Sequence, residues 1–388
     1  MKIVLLIIDG LGDRPITKLG RKTPLAAAIT PNLDYLAKEG ICGLVKPFIF
    51  PKETAPTSEG AHTALLGYQR HFLGRGAYEA AGVGMDLREG DVAFRVNFAT
   101  VDENLKIIDR RAGRISDTEE LVSVLNGMTI KGVKFFLKKA YGHRAVLLLR
   151  GPGLSTKIGY NDPHQTGIKP KIIKEAPALN EFLSKAAQIL REHPLNKQRI
   201  KKNLPPANYL LIRGPGQLKE MPSFMEKYGL KACCVAGGGL YKGVAKILGM
   251  DLISVSGATG LKDTNIRNKI LAVKKALVKY DFVFCHIKAA DTFGHDGDCL
   301  GKKEFIEKID KEIKILSLPK VLLAVTADHS TPCVMKDHSS DSVPLLVYND
   351  GHDAVQEFSE QACRKGGLGE IRQTGLMKLI LKLRKPGD

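Results

Sequence analysis

Short apolar runs rich in Val, Ile and Leu recur along the chain, separated by segments whose apolar residues repeat at helical spacing. Such alternation is how a mostly parallel sheet, covered by helices on both faces, reads in sequence. Candidate strands are Ile3 to Ile8, Ala232 to Ala236, Phe282 to Ile287, Val321 to Thr326 and Pro344 to Val347. Candidate helices are Asn32 to Lys38, Ala61 to Leu66, Asn265 to Val278 and Lys302 to Ile315. The pattern predicts an α/β core.

From Gly90 to Leu204 the signal changes. Strands such as Ala93 to Phe98 and Ala145 to Leu149 are weaker and more polar, and a longer helix is expected near Leu179 to Leu190. The prolines of Asn203-Leu-Pro-Pro-Ala207 suit a linker. The expected organisation is therefore a discontinuous core domain, 1–89 with 206–388, and a smaller inserted α/β or α+β domain over 90–205.

The 388 residues suit two domains, and 44% apolar with 26% charged residues is ordinary globular composition. No apolar run reaches the length of a membrane span, and the first is interrupted at Asp9 and Gly10, too early for a signal peptide. Seven cysteines without regular spacing fit buried thiols in a reducing, cytoplasmic setting. A net charge of +18 raises nucleic acid as a partner. The lysine clusters lack interleaved aromatics, however, there is no tryptophan, and no zinc-finger spacing occurs. No nucleic-acid or membrane partner is expected, and the sequence leaves the oligomeric state open.

Chemistry gathers at the predicted carboxyl ends of strands, where open α/β sheets bind ligands. The first strand ends at Asp9; the strand at Phe284 leads to Asp291-Thr-Phe-Gly-His295; the strand at Val321 ends in Asp328-His329; and His338 precedes the next strand. One such Asp is commonly an N-cap or turn residue. Their recurrence with histidines points instead to Mn²⁺ or Zn²⁺, which accept imidazole nitrogen beside carboxylate oxygen.

Ser58, in Pro56-Thr-Ser-Glu-Gly-Ala-His62, stands before an apolar helical stretch. It reads as an N-cap, or as a nucleophile set where the helix dipole favours a phosphate. The arginines Arg110, Arg111, Arg114, Arg144 and Arg150 in the middle segment suit a small, multiply anionic ligand, or form a surface patch. Gly237-Gly-Gly-Leu-Tyr-Lys-Gly243 is not a P-loop, because no Ser or Thr follows Lys242. It reads as a mobile loop carrying a functional lysine, or as a plain turn.

Several longer strings carry a resemblance. Leu6-Ile-Ile-Asp-Gly-Leu-Gly-Asp-Arg14, Thr30-Pro-Asn-Leu-Asp34, Asp109-Arg-Arg-Ala-Gly-Arg114, His286-Ile-Lys-Ala-Ala-Asp-Thr-Phe-Gly-His-Asp-Gly-Asp298 and Thr326-Ala-Asp-His-Ser-Thr-Pro332 resemble archaeal-type cofactor-independent phosphoglycerate mutases of the alkaline phosphatase superfamily. Glu59 follows the serine where the archaeal branch usually has Asp. His62 then reads as a near-site residue or a helix-surface one.

The resemblance implies an alkaline-phosphatase-like, metal-binding domain with an inserted transferase domain that grips the substrate. One metal would be held by Asp9, Ser58, Asp328 and His329, the other by Asp291, His295 and His338. Mn²⁺ is the expected ion, with Mg²⁺, Co²⁺ or Zn²⁺ as alternatives. Ser58 would be phosphorylated, and Lys242 would contact phosphate. Arg144, Arg150 and Arg213, with Arg110 and Arg111, would bind 2- or 3-phosphoglycerate, and no 2,3-bisphosphoglycerate would be needed. A metal-dependent phosphomonoesterase and a phosphopentomutase of the same superfamily are the competing expectations.

Overall fold

The computed structural model describes residues 1–384 and divides into two compact units. One is formed by Met1–Phe72 with the chain from Pro222 onward, the other by Leu73–Met221. Along the chain come β1 (Lys2–Ile8), β2 (Gly40–Lys46), β3 (Val92–Val101), β4 (Ile107–Asp109), β5 (Met128–Ile130), β6 (Val133–Lys139) and β7 (Arg144–Arg150). They are followed by β8 (Tyr209–Gln217), β9 (Ala232–Val235), β10 (Asp251–Leu252), β11 (Phe282–Ile287), β12 (Val321–Thr326), β13 (Val343–Tyr348) and β14 (Glu370–Arg372).

The first unit is built on an eight-stranded sheet in the order β10-β9-β11-β1-β12-β13-β2-β14. It is parallel from β10 through β12, while β13 runs antiparallel to both β12 and β2. Every residue of β11 and β12 is buried, so both faces are covered and near-continuous apolar runs are required. That requirement made these strands legible in the sequence. β2, Gly-Ile-Cys-Gly-Leu-Val-Lys, was not, because its glycines break the run. At Gly43 a Cβ would meet the Gly369 carbonyl at 2.5 Å.

Register sets the site. Ile8 lies opposite Ile287 and Ile7 opposite Thr326, so the residues after β1, β11 and β12 emerge side by side at one sheet edge. Because β13 is antiparallel to β12, the chain before it, including His338, arrives at that same edge. The loops there are held together from below. Lys302, wholly buried, donates to the carbonyls of Gly12 (3.1 Å) and Thr331 (3.0 Å) and to Asp13 Oδ2 (2.8 Å), using all three ammonium donors. Gly10 has φ +67°, and a Cβ there would lie 2.6 Å from Asp291 Cα, so only glycine lets the two loops approach this closely.

The second unit is an antiparallel sheet, β4-β3-β7-β6-β5, with β8 also paired to β3. Val92, Phe94, Val96 and Phe98 alternate onto the core face. There the helix Pro177–Glu192 packs Leu179, Phe182, Leu183, Ala186 and Leu190, with Phe182 stacked on Phe135 at 4.4 Å. Ala93 faces the other way with Ala80 of the helix Arg75–Gly82, which packs on β3 and β8. Gly76 permits the contact, since its Cβ would lie 1.9 Å from the Ala93 carbonyl oxygen. The seven cysteines are all free and six are buried. Among the described residues, no helix is long and apolar enough to cross a membrane.

Candidate active site

Two groups of potential metal ligands meet at the strand-end edge of the first unit. In the first, each carboxylate has one oxygen tied and one unpaired. Asp328 Oδ1 accepts the amides of Gly10 (3.1 Å) and His329 (3.0 Å), leaving Oδ2 without a hydrogen bond. Asp9 Oδ2 accepts from Tyr241 Oη (2.5 Å), His286 Nε2 (3.0 Å) and Lys288 Nζ (3.2 Å), leaving Oδ1 without one. Between them His329 Nε2, also lacking a hydrogen bond, stands 3.1 Å from Asp328 Oδ2 and 3.8 Å from Asp9 Oδ1.

All three side chains are wholly buried. Polar atoms left unmatched in such a place cost free energy unless a ligand completes them. Burial disfavours charge on Asp9, yet Lys288 and His286 keep its carboxyl ionised well below the usual range. A carboxylate oxygen on either side of an imidazole nitrogen is the donor chemistry that suits a divalent transition metal.

The second group is Asp291, His295 and His338. His295 Nδ1 donates to the Lys336 carbonyl (2.9 Å) and His338 Nδ1 to the Pro56 carbonyl (2.8 Å). Each ring thus turns Nε2 toward Asp291 Oδ1, 3.4 Å away in both cases, with the two Nε2 atoms 3.2 Å apart. Backbone carbonyls that fix the tautomer in this way are the usual support of metal-binding histidines. The i, i+4 spacing of Asp291 and His295 is that of one face of the helix Ala289–Asp296. Asp291 also joins Asp9 and His329 in an overlapping donor group, so the two sets are contiguous.

Ser58 is the first residue of the helix Ser58–Leu65, and among the described residues its hydroxyl has no hydrogen-bond partner. The cap is Thr57, whose side chain accepts from the Gly60 amide at 3.2 Å. One turn on, His62 Nδ1 donates to the Ser58 carbonyl (2.7 Å) and lies 3.6 Å from Asp328 Oδ2. The start of the helix is thereby set beside the first ligand group. His62 is wholly buried, so the helix-surface expectation for it fails.

Sequence reasoning missed Tyr241, His286 and Lys288. The available signal was a His and a Lys at a strand end, within the string already read for Asp291. Lys288 bridges the groups, with Nζ 2.7 Å from Asp291 Oδ2 and 3.2 Å from Asp9 Oδ2. Lys242 is half-buried in the helix Gly239–Ile247, and among the described residues its ammonium group has no hydrogen-bond or ion-pair partner.

In the second unit, β3 pairs Arg95 with Arg213 of β8 and Asn97 with Arg144 of β7, so these side chains share a face. The neighbouring helix adds Arg75, which donates to Glu79 at 2.8 Å, with Arg95 Nε 3.8 Å from the same oxygen. Burial, and then the positive charge of Arg75 and Arg144, lower the pKa of Arg95; burial and Arg75 bring Arg213 down to about 10. Such crowding of guanidinium groups is a field that favours a bound anion.

The other expected arginines are placed differently. Arg110 makes a fork with Asp162 (3.0 and 2.7 Å), and Arg150 one with Asp91 (2.9 and 2.7 Å). Arg111 is exposed. The structure thus adds Arg75 and Arg95 to Arg144 and Arg213; the charged Arg95 inside an apolar strand was their visible sign.

Comparison with known proteins agrees with this architecture. Residues 1–383 match the profile of the metalloenzyme superfamily. The chain is 46% identical to the 2,3-bisphosphoglycerate-independent phosphoglycerate mutase 1 of Methanocaldococcus jannaschii, covering 98% of this chain and 97% of the relative. It is 44% identical to the corresponding protein of Archaeoglobus fulgidus, covering 99% and 98%. A solved structure from Pyrococcus horikoshii matches at a TM-score of 0.86 and 37% identity, covering 100% of this chain and 98% of that one. The cofactor-independent phosphoglycerate mutase from Thermoplasma acidophilum matches at 0.71 and 36%, covering 99% and 100%. On identity and coverage, this chain belongs to the metalloenzyme superfamily and, within it, to the family of 2,3-bisphosphoglycerate-independent phosphoglycerate mutases.

Proposed function

We propose that this chain interconverts 3-phosphoglycerate and 2-phosphoglycerate through a phosphorylated Ser58, using two divalent cations and no bisphosphoglycerate. It is then an isomerase of glycolysis and gluconeogenesis. The observation that carries the reading is the meeting of two contiguous groups of potential ligands, one of them with unpaired atoms on Asp9, Asp328 and His329, beside a serine that has been relieved of capping duty. The names of the full-length relatives support the same reaction.

In this reading Asp9, Ser58, Asp328 and His329 hold one cation, and Asp291, His295 and His338 the other. Mn²⁺ is the favoured ion; Mg²⁺, Co²⁺ and Zn²⁺ are the alternatives. When bound, the cations neutralise phosphoryl oxygens and lower the pKa of the serine hydroxyl. Ser58 Oγ bonds to phosphorus as the bond from phosphorus to the glycerate oxygen breaks. In the second step the other glycerate hydroxyl takes the phosphoryl group back. One hydroxyl proton is lost and one regained in each step, so the cycle balances. The positive end of the Ser58–Leu65 helix favours the phosphoserine, and Lys242 is the proposed further phosphate contact.

The first unit thus carries phosphoryl transfer, and the second supplies the anion-binding face. The glycerate carboxylate is assigned to Arg144 and Arg213 with Arg75 and Arg95. Arg110 and Arg150 already hold carboxylate forks, so the assignment leans least on them and on exposed Arg111. The deciding experiment incubates the protein with 3-phosphoglycerate and Mn²⁺, following 2-phosphoglycerate through enolase and measuring free phosphate. A mutase gives mainly 2-phosphoglycerate. Dominant free phosphate would instead make the protein a phosphomonoesterase.

A further inference from the structure

The glycine run Gly237-Gly-Gly239 delivers a tyrosine to the ligand group. Gly238 lies against the Tyr241 ring: a Cβ there would sit 2.8 Å from one ring carbon and 2.9 Å from the next. Gly237 lies against the Gly257–Gly260 loop, where a Cβ would be 2.3 Å from the Gly260 amide nitrogen. With both side chains absent, the ring of Tyr241 stacks on His286 at 3.4 Å between centroids and is almost wholly buried. The two polar groups then meet on one atom. Tyr241 Oη donates to Asp9 Oδ2 at 2.5 Å and His286 Nε2 at 3.0 Å, while Asp9 Oδ1 keeps no hydrogen bond and faces His329.

We infer that Tyr241 is a positioning residue, which with His286 pins Asp9 Oδ2 so that Oδ1 is offered to the cation held with Asp328 and His329. The inference rests on reading that group as a metal site. A carboxylate free to rotate must be ordered when the ion binds, whereas one fixed by these two donors, with Lys288 Nζ as a longer third at 3.2 Å, is already in place. Outer partners of this kind typically change metal affinity by about 10- to 100-fold. The glycine-rich string therefore serves the metal group through Tyr241 as well as carrying Lys242.

The test is Mn²⁺ binding to the full chain by calorimetry with metal counting. His338→Ala, which removes a ligand from the other group, identifies which binding phase belongs to Asp9. Tyr241→Phe keeps the ring and its stacking and removes only the hydroxyl. It is expected to weaken the Asp9 phase by about 10- to 100-fold, leave the other phase intact and keep the wild-type circular dichroism. His286→Gln, which retains a donor, should hold Mn²⁺ better than His286→Leu. Wild-type affinity in both phases of Tyr241→Phe, or equal losses in the two His286 variants, would overturn the inference. Absence of any Asp9 phase in the wild type would overturn the metal-site reading beneath it.

Discussion

Thr57, not Ser58, caps the helix Ser58–Leu65: its side-chain oxygen accepts the Gly60 amide at 3.2 Å. Two adjacent hydroxyl residues are thus distinguished, where capping is read from the sequence for Ser58 alone. Thr57→Ala is expected to cost about 1 kcal/mol of stability. Ser58→Ala should change stability by less than that and abolish turnover, because no other group forms the covalent intermediate. Denaturant unfolding and the enolase-coupled assay, run on both variants, check the pair. Brisk turnover by folded Ser58→Ala protein would remove Ser58 from the mechanism.

Each ligand group should bind one cation. Chelation is expected to abolish activity, with Mn²⁺, Co²⁺ or Zn²⁺ restoring it better than Ca²⁺, which prefers an all-oxygen shell. Elemental analysis should find two ions per wild-type chain and one in His295→Ala, which lacks the Nε2 that the bond from Nδ1 to the Lys336 carbonyl orients toward Asp291. Full activity in protein shown to be free of metal would contradict this.

Strands buried on both faces were legible in sequence because near-continuous apolar runs such as Phe282–Ile287, interrupted only at His286, are short and rich in β-branched and aromatic residues. So was the gathering of Asp9, Asp291, Asp328 and His329, the proposed ligands, since they follow those runs and the strand register brings them to one sheet edge. What escaped depends on contacts distant in sequence. Tyr241 reaches Asp9 across 232 residues, and no local pattern marks a tyrosine that ends on a carboxylate. Arg75 and Arg95 belong to different elements, and their convergence follows from the packing of a helix on β3. Thr57 against Ser58 was a question of one residue, at the level where helix boundaries are least determined by sequence.

Glu79 makes the second unit sensitive to acid. Burial alone would raise its pKa, but Arg95 and Arg75 prevail and hold it at about 2, below the ordinary 4.5. A carboxyl whose folded pKa is depressed stabilises fully above the unfolded value and loses that contribution as pH falls toward the folded one. Glu79→Gln is therefore expected to cost about 3 kcal/mol at neutral pH, by leaving buried guanidinium charge uncompensated. The gap to wild type should narrow as pH falls from about 4.5 to about 2. A gap constant across that window would contradict the pairing.

The arginines can be separated by what each change damages. Arg213 shares a face with Arg95, and Arg144 with Asn97, in a cluster where positive charge outweighs Glu79. Arg144→Met or Arg213→Met should relieve repulsion in the free protein while weakening its hold on an anion. The expected result is KM for 3-phosphoglycerate raised about tenfold or more, the loss of one charge-assisted hydrogen bond, with stability maintained and Mn²⁺ affinity unchanged. Arg150 offers the contrast, because its fork neutralises Asp91, only 2% exposed. Arg150→Met strands that carboxylate. Since Arg150 itself is partly solvated, the cost should be about 2 kcal/mol, below that of breaking a wholly buried pair. Its KM should move less than that of either other variant. Steady-state kinetics and thermal unfolding on the three proteins decide the matter: a larger KM change in Arg150→Met than in Arg144→Met or Arg213→Met would move the substrate carboxylate away from the β3 face.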